Sequence, residues 1–237
     1  MEVNKLAIDR KIPKEERIMV AAEQVFSQKG YTQATLDEII KIADTGKGTV
    51  YKYYKNKENL FYSLVMRKNE PFLLKLQGIE KQDICLEKKL LSYFTELVSF
   101  MHENAVIWQV LLFEMRGCSS GWQLVPQDED RNTFKVKVTW GEPPKAEEVE
   151  IVKRYHQVIH SKIDILLHIL EGAVKKGELK PLKDLNAWTA SIFFGVIMSV
   201  FHNTKLNETE TAEDVASFVT DWLMHGVLVH KESIKEK

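Results

Sequence analysis

Glycine and proline are scarce in this sequence, 11 and 6 of 237 residues, and long segments contain neither. So few breakers argue against a chain of many short strands and favour helices joined by short loops. Cysteine occurs twice, at Cys85 and Cys118. Two distant thiols make neither a disulfide framework nor a zinc site, and they suit a reducing cytosol. An excess of one charge is missing too. With a net charge of −1, the molecule is no polyanion binder by bulk charge, and any nucleic-acid surface must be local. The N-terminal MEVNKLAIDRKIPKEER has no apolar signal core. The most apolar stretch, IFFGVIMSVF from Ile192 to Phe201, falls far short of the ~20 residues a spanning helix needs. Together these absences predict a soluble, intracellular, cytoplasmic protein. No internal repeat or low-complexity tract is evident.

What is present is a chain with 44% apolar residues. That suffices for one large domain, or for a small domain beside a larger one. After a polar arm over residues 1–13, Ile18, Ala21, Ala22, Val25 and Phe26 form the stripe of an amphipathic helix from Lys14 to Lys29. Gly30 is a natural stop. Thr35 and Glu38 read as a capping box, opening a helix with Leu36, Ile39, Ile40 and Ala43 on one face. A break at Asp44-Thr45-Gly46 precedes a helical run from Lys47 to Tyr54. Two short helices joined by a tight glycine turn are the helix-turn-helix signature. Further helices are predicted from Lys57 towards Leu76, from Leu86 to His102 (Leu90, Leu91, Phe94, Leu97, Val98 and Met101 inward), and from Val106 to Met115.

Residues 117–145 differ. They carry Gly, Ser, Pro and the acidic run Asp128-Glu129-Asp130. Phe134, Val136, Val138 and Trp140 alternate with Lys135, Lys137 and Thr139, the period of a half-buried strand, and Trp122 and Leu124 are placed to pair with it in a hairpin. A long helix follows from Ala146 to about Lys176, ended by Gly177. The last two helices run from Asn186 to Asn203 and from Thr211 to Val229. The first of these is apolar nearly all round, and such a helix needs burial on both sides. One side can be the protein's own core and the other a second subunit. The predicted homodimer interface comprises Trp188, Ile192, Gly195, Val196, Ser199, Val215, Phe218, Val219, Trp222 and Leu223, a four-helix contact across a two-fold axis.

Between Lys41 and Lys57 stand Lys41, Lys47, Lys52, Lys55 and Lys57 against one acid, Asp44. Gly46-Lys47 invites a phosphate-loop reading. That loop needs a first glycine where Lys41 stands, and a buried strand before it; the preceding segment is an amphipathic helix. A DNA-facing helix fits better. Lysines attract phosphates and release counterions. Tyrosines bond phosphates through the hydroxyl and pack on sugars or thymine methyls. Gly46 and Gly48 keep the helix start slim, and its free N–H groups favour phosphate. The plain alternative is a solvated, charged surface helix.

The stretch TLDEIIKIADTGKGTVYKYYKNKENL, Thr35 to Leu60, closely resembles the DNA-binding segment of the tetracycline-repressor (TetR) family. The Gly-x-x-Tyr element is Gly48 to Tyr51, the aromatic pair is Tyr53-Tyr54, and the close is Lys57-Glu58-Asn59-Leu60. The upstream AAEQVFSQKGYTQAT also fits. Asp44 replaces the usual turn glycine and Gly46 the usual capping serine; Ile40 stands where alanine is common. The 117–145 segment is longer than the family's usual connection. The resemblance implies an all-α fold: a three-helix helix-turn-helix DNA-binding domain over residues 1–60, and a larger helical ligand-binding and dimerisation domain over 61–237. The 117–145 segment forms a small β-hairpin or irregular insertion. It implies a dimeric transcriptional regulator, by family habit a repressor, bound to a palindromic double-stranded DNA operator and released by a small molecule. Lys47, Thr49, Tyr51 and Tyr53 would face bases or the groove, and Thr35 and Lys57 would hold phosphates. With Thr45, Gly46, Gly48 and Lys52 they make the candidate DNA-binding set, while Val50 and Tyr54 would face the core.

Candidate effector contacts are Phe94, Met101, Trp108, Leu112, Phe113, Trp122, Tyr155 and Ile159. His102, Glu103, Glu114 and His156 are candidate polar anchors, since small-molecule sites are mostly apolar with few polar groups. Ordinary core packing accounts for the same aromatic spacing. The aromatic content and nearby acids permit a lipophilic cation. His156 and His160 share a helix face, with His168 further along, but no third ligand falls into register and no metal is expected. Cys118 with a histidine lacks an orienting motif for nucleophilic catalysis, so no catalytic residue and no cofactor are expected. A helical small-molecule-binding or purely structural dimer without sequence-specific DNA binding remains the alternative.

Overall fold

The computed structural model describes residues 11–114, 121–127, 134–202 and 210–225. The architecture is mostly helical, as expected, with one small antiparallel hairpin. In chain order the helices are α1 Lys14–Gln33, α2 Leu36–Ile42, α3 Lys47–Tyr54, α4 Lys57–Lys81, α5 Leu86–Glu103, α6 Ala105–Gln109, α7 Ala146–Lys176, α8 Leu185–His202 and α9 Ala212–His225. Strands β1 Trp122–Pro126 and β2 Phe134–Val138 stand between α6 and α7.

Local chemistry sets most of these boundaries. Gly30 adopts φ 69° and ψ −177° and breaks the regular part of α1. The Thr35 hydroxyl accepts the Glu38 N–H at 3.3 Å and caps α2. Gly177, at φ 76°, closes α7: its N–H donates to the Val174 carbonyl at 3.1 Å and that of Glu178 to Ala173 at 2.9 Å. This double bond is the Schellman motif that glycine permits. Asp184 caps α8 by accepting the Ala187 N–H at 2.9 Å. Thr211 and Asp214 cap α9 reciprocally.

The chain divides into two compact units, Met1–Pro71 with Ala105–Val158, and Phe72–Asn104 with Ile159–Lys237. In the first unit, Ile18, Ala22, Val25 and Phe26 of α1 share a core with Ile39, Val50, Tyr54, Leu60 and Phe61. The Phe26 and Phe61 rings meet edge-on at 4.9 Å. Ile107, Val110 and Leu111 add to that core from α6 and the turn after it, and Tyr155 and Val158 from α7. In the second unit α5 packs on α8 and α9. Phe72 and Phe100 stack at 4.0 Å, and the buried Tyr93 donates its O–H to the Lys162 carbonyl at 2.8 Å.

Three expectations change. The helix predicted from Val106 to Met115 is α6 followed by a single π-helical turn, Val110–Glu114. The wider turn buries Val110, Leu111 and Leu112 in succession. α4 continues past Leu76 to Lys81. The hairpin forms in the register Trp122↔Val138 and Leu124↔Val136, but β2 is not a half-buried strand. Trp122 and Leu124 of β1 are covered by Val152, with Val149 and Phe134 beside them. Val136, Val138 and Trp140 remain 38%, 42% and 61% exposed, while Phe134 at the start of β2 packs against that cluster. Cys118, Asp128, Glu129, Asp130, Asn203, Gly226 and Val229 lie outside the described residues.

Candidate functional site

The turn between α2 and α3 is made by Asp44 in the left-handed region, at φ 48°. Aspartate is one of the few residues besides glycine that tolerates this conformation. Arg17 of α1, only 6% exposed, donates from Nη1 to the Asp44 carbonyl at 3.1 Å, and the Asp44 carboxylate lies 3.7 Å from the same nitrogen. The turn is therefore fastened to α1 from below.

Gly46 caps α3 through its backbone, accepting the Thr49 N–H at 2.9 Å. Val50 and Tyr54, one helical turn apart, are buried. At 3.6 residues per turn this directs Gly48, Tyr51, Lys52 and Tyr53 away from the core, and all four are exposed, as is Lys47 at the open first turn. Tyr51 and Tyr53 are 43% and 48% exposed, an unusual solvent cover for rings on one short helix. Thr45 and Thr49 are half-buried, and Thr35 and Gly46 are exposed. No acid occupies the first turn of α3. Lys47 lies 3.5 Å from Asp37 and 5.7 Å over the Tyr51 ring. Both ends of that ion pair face water, so it contributes little and leaves the ammonium available.

Lys57 is placed differently. Its Nζ donates to the carbonyls of Tyr31 at 2.9 Å, Ala34 at 3.0 Å and Thr32 at 3.3 Å, and stands 4.6 Å over the Tyr31 ring. Nothing in the sequence spacing signals this, since the three carbonyls are more than twenty residues upstream. Next to it, Glu58 faces α7, with Arg154 at 3.5 Å and the Tyr155 hydroxyl donating at 3.5 Å. Burial raises the Glu58 carboxyl above its usual range, against the pull of Arg154 and Tyr155. Burial also pushes the Tyr54 hydroxyl up to about 12. The Glu38 carboxyl sits below its usual range because Lys29 bonds it.

The candidate effector contacts fall into both units. Phe94, Met101 and Ile159 are buried in the second; Trp108, Leu112, Trp122 and Tyr155 are buried in the first. The side chains of Phe113 and Glu114 lie outside the described residues. Among the candidate anchors, His102 and Glu103 are exposed, and His156 is buried with its ring 5.0 Å from that of Phe134. A fully buried lysine, Lys162, escaped the sequence reading. Among the described residues no cluster of His, Cys, Asp and Glu could hold a metal ion, and no helix is long and apolar enough to cross a membrane.

α8 and α9 leave an uncovered apolar face. Trp188, Phe218 and Trp222 are 58%, 71% and 49% exposed. Gly195 and Ser199 are also exposed, and Ile192, Val219 and Leu223 are half-buried. Val196 and Val215 instead turn into the unit's own core. Trp188, Ile192, Gly195, Ser199, Phe218, Val219 and Trp222, with Val196 and Val215 at its floor, line a groove of ≈ 700 Å³ whose remaining walls are Ser191, Glu210 and Asp214.

Residues 18–64 match the family described as "Bacterial regulatory proteins, tetR family". The chain is 39% identical over 211 residues to the HTH-type transcriptional repressor BepR of Brucella suis, covering 89% of this chain and 80% of that protein. It is 24% identical over 187 residues to the fatty acid metabolism regulator protein of Bacillus subtilis, covering 78% and 80%. The crystal structure of FadR from Bacillus subtilis in complex with stearoyl-CoA has the same fold, with a TM-score of 0.67 at 21% identity over 90% of this chain and 99% of that one.

Proposed function

The chain belongs to the tetR family of bacterial regulatory proteins, DNA-binding and non-enzymatic, and from that membership we propose that it is a cytoplasmic, homodimeric repressor released from its operator by a lipophilic effector. The outward face of α3 carries this reading. Lys47, Gly48, Tyr51, Lys52 and Tyr53 stand in water on a helix whose other side is core. Solvated rings on a recognition helix supply sugar and thymine-methyl contacts, and the lysines supply phosphate contacts. Thr35, Thr45, Gly46 and Thr49 frame that face.

The uncovered face of α8 and α9 supports a two-fold dimer, since three large exposed aromatic rings are a cost in water and a contact when paired. Two recognition helices then reach successive major grooves, about 34–36 Å apart. An effector that prefers a spacing unlike that of the operator lowers DNA affinity. Long-chain acyl-CoA is the first effector to try, because the fold is shared with a regulator solved with stearoyl-CoA. Phe94, Met101 and Ile159 in one unit, and Trp108, Leu112, Phe113, Trp122 and Tyr155 in the other, remain two separate sets of candidate effector contacts.

The test is selection of bound duplexes from a random library with the full chain at two salt concentrations. The expected result is an enriched palindrome with a steep salt dependence, released by stearoyl-CoA. Weak, salt-sensitive binding without enrichment would sink the operator reading and leave a helical dimer. Retention of DNA in saturating stearoyl-CoA would reject that effector alone.

A further inference from the structure

Lys57 stands at the start of α4, two residues after the recognition helix and its cap, where a cation is expected to hold a DNA phosphate. Its geometry points elsewhere. An ammonium has three N–H donors, and three backbone carbonyls, those of Tyr31, Thr32 and Ala34, lie within 3.3 Å of Nζ. These carbonyls belong to the end of α1 and its cap, where a helix carries the negative end of its dipole. Gly30 has already broken the regular helix one residue earlier. The Tyr31 ring below the ammonium completes the seat, itself packed edge-on against Phe61 at 5.2 Å.

We propose that Lys57 is a positioning residue, which staples the α1–α2 corner to the first turn of α4 and so sets the orientation of α2 and α3, and that it contributes no phosphate contact. The proposal rests on the DNA-binding reading above. Moving the ammonium to a phosphate would strip a cation from three carbonyls at once. The phosphates neutralised on DNA binding, and so the counterions the DNA releases, then fall to the lysines that stay exposed around α3, namely Lys41, Lys47, Lys52 and Lys55.

The two roles separate experimentally. A phosphate lysine contributes to all DNA alike, and its loss flattens the plot of log K against log salt by ~0.9. A staple contributes to the operator through alignment, and its loss leaves that slope alone. Arginine keeps the charge but presents a planar fork that cannot converge on three carbonyls round one point. Lys57→Met and Lys57→Arg are to be compared with the wild-type chain and with Lys47→Met, on the selected operator and on a random duplex. The expected result is a lower melting temperature for both Lys57 variants and about tenfold weaker operator binding, the scale of a lost charged hydrogen bond. Affinity for the random duplex and the salt slope should stay unchanged. Lys47→Met should flatten the slope and melt normally. A Lys57→Met chain that melts like wild type, binds both duplexes more weakly and shows the flattened slope would overturn the staple, as would full operator affinity in Lys57→Arg. If the wild-type chain selects no operator, the functional reading fails by itself, and the melting temperatures still decide the staple. Should Lys57→Met fail to fold, Lys57→Arg carries the comparison.

Discussion

The Arg17 guanidinium reaches the Asp44 carbonyl at 3.1 Å from a position where the arginine is 6% exposed and the aspartate faces solvent. A buried cation on α1 thus holds the left-handed residue of the turn between α2 and α3. Arg17→Met should lower stability by about 1.5–3 kcal/mol, the scale of a hydrogen bond from a charged donor, and a thermal melt reads it. Asp44→Gly should keep the turn, whereas Asp44→Val forces a branched residue to positive φ at roughly 1–2 kcal/mol more. Equal melting of the Gly and Val variants would show that the left-handed turn is not maintained in solution.

Tyr54 packs its ring into the same core, and its hydroxyl, buried, has no hydrogen-bond partner among the described residues. Removing an unpaired buried hydroxyl should cost nothing. Tyr54→Phe is expected to match wild-type stability or exceed it by up to about 1 kcal/mol, while Tyr54→Ala should lose about 3–5 kcal/mol. Urea unfolding of the three proteins decides it. A clearly destabilised Phe variant would mean that the hydroxyl finds a partner in solution.

Tyr51 is the opposite case, one turn earlier and 43% exposed. Tyr51→Ala should leave the melt within about 0.5 kcal/mol of wild type, as exposed substitutions do. Operator affinity should fall by roughly tenfold or more, at about 1–3 kcal/mol per base-reading contact. An unchanged operator affinity would remove Tyr51 from the reading face.

Lys162 predicts a pH effect. Burial brings its pKa down to about 7 in the folded chain, against about 10.4 when unfolded. Between those values the unfolded chain binds a proton that the folded chain does not, so stability rises with pH through the window. Below pH 7 the penalty is full; above about 10.4 it is gone. Lys162→Met keeps the backbone carbonyl that Tyr93 uses. It should stabilise the protein by about 1–4 kcal/mol near neutral pH, with the gain shrinking on going from pH 6.5 to 9.5. A gain independent of pH would assign the effect to packing.

Phe218 and Trp222 should separate the subunits. Placing a carboxylate in the middle of an apolar contact, as in Phe218→Glu or Trp222→Glu, is expected to turn a dimer into a monomer by analytical ultracentrifugation. Helical content should be kept, because both side chains are already exposed within one chain. A variant that still sediments as a dimer would move the interface off this face.

Much of this fold is legible in the chain. The α3 bounds follow from Gly46 and from the end of the Val50–Tyr54 stripe, and α7 ends at Gly177 because glycine accepts that φ without penalty. Local rules suffice there, since cap, period and breaker are all within a few residues. The misses arise where a distant partner decides. Val136 and Val138 alternate as a half-buried strand should, yet α7 meets β2 at Phe134 and leaves both exposed. The π turn after α6 has no breaker residue to announce it. Lys57 reads as one more cation in a basic segment, and only the folded corner at Tyr31 and Ala34 shows where its charge is spent.

Lys57 and Glu58 are neighbours in the chain and grip different structures, the α1–α2 corner on one side and Arg154 and Tyr155 of α7 on the other. Successive residues of a helix point about 100° apart around its axis. Two anchors at that angle fix the azimuth of the first turn of α4 as two guy ropes fix a mast. The helix cannot roll beneath the recognition helix without slackening one rope or the other. Rotation of that turn about its own axis is thus opposed from two directions within the first unit.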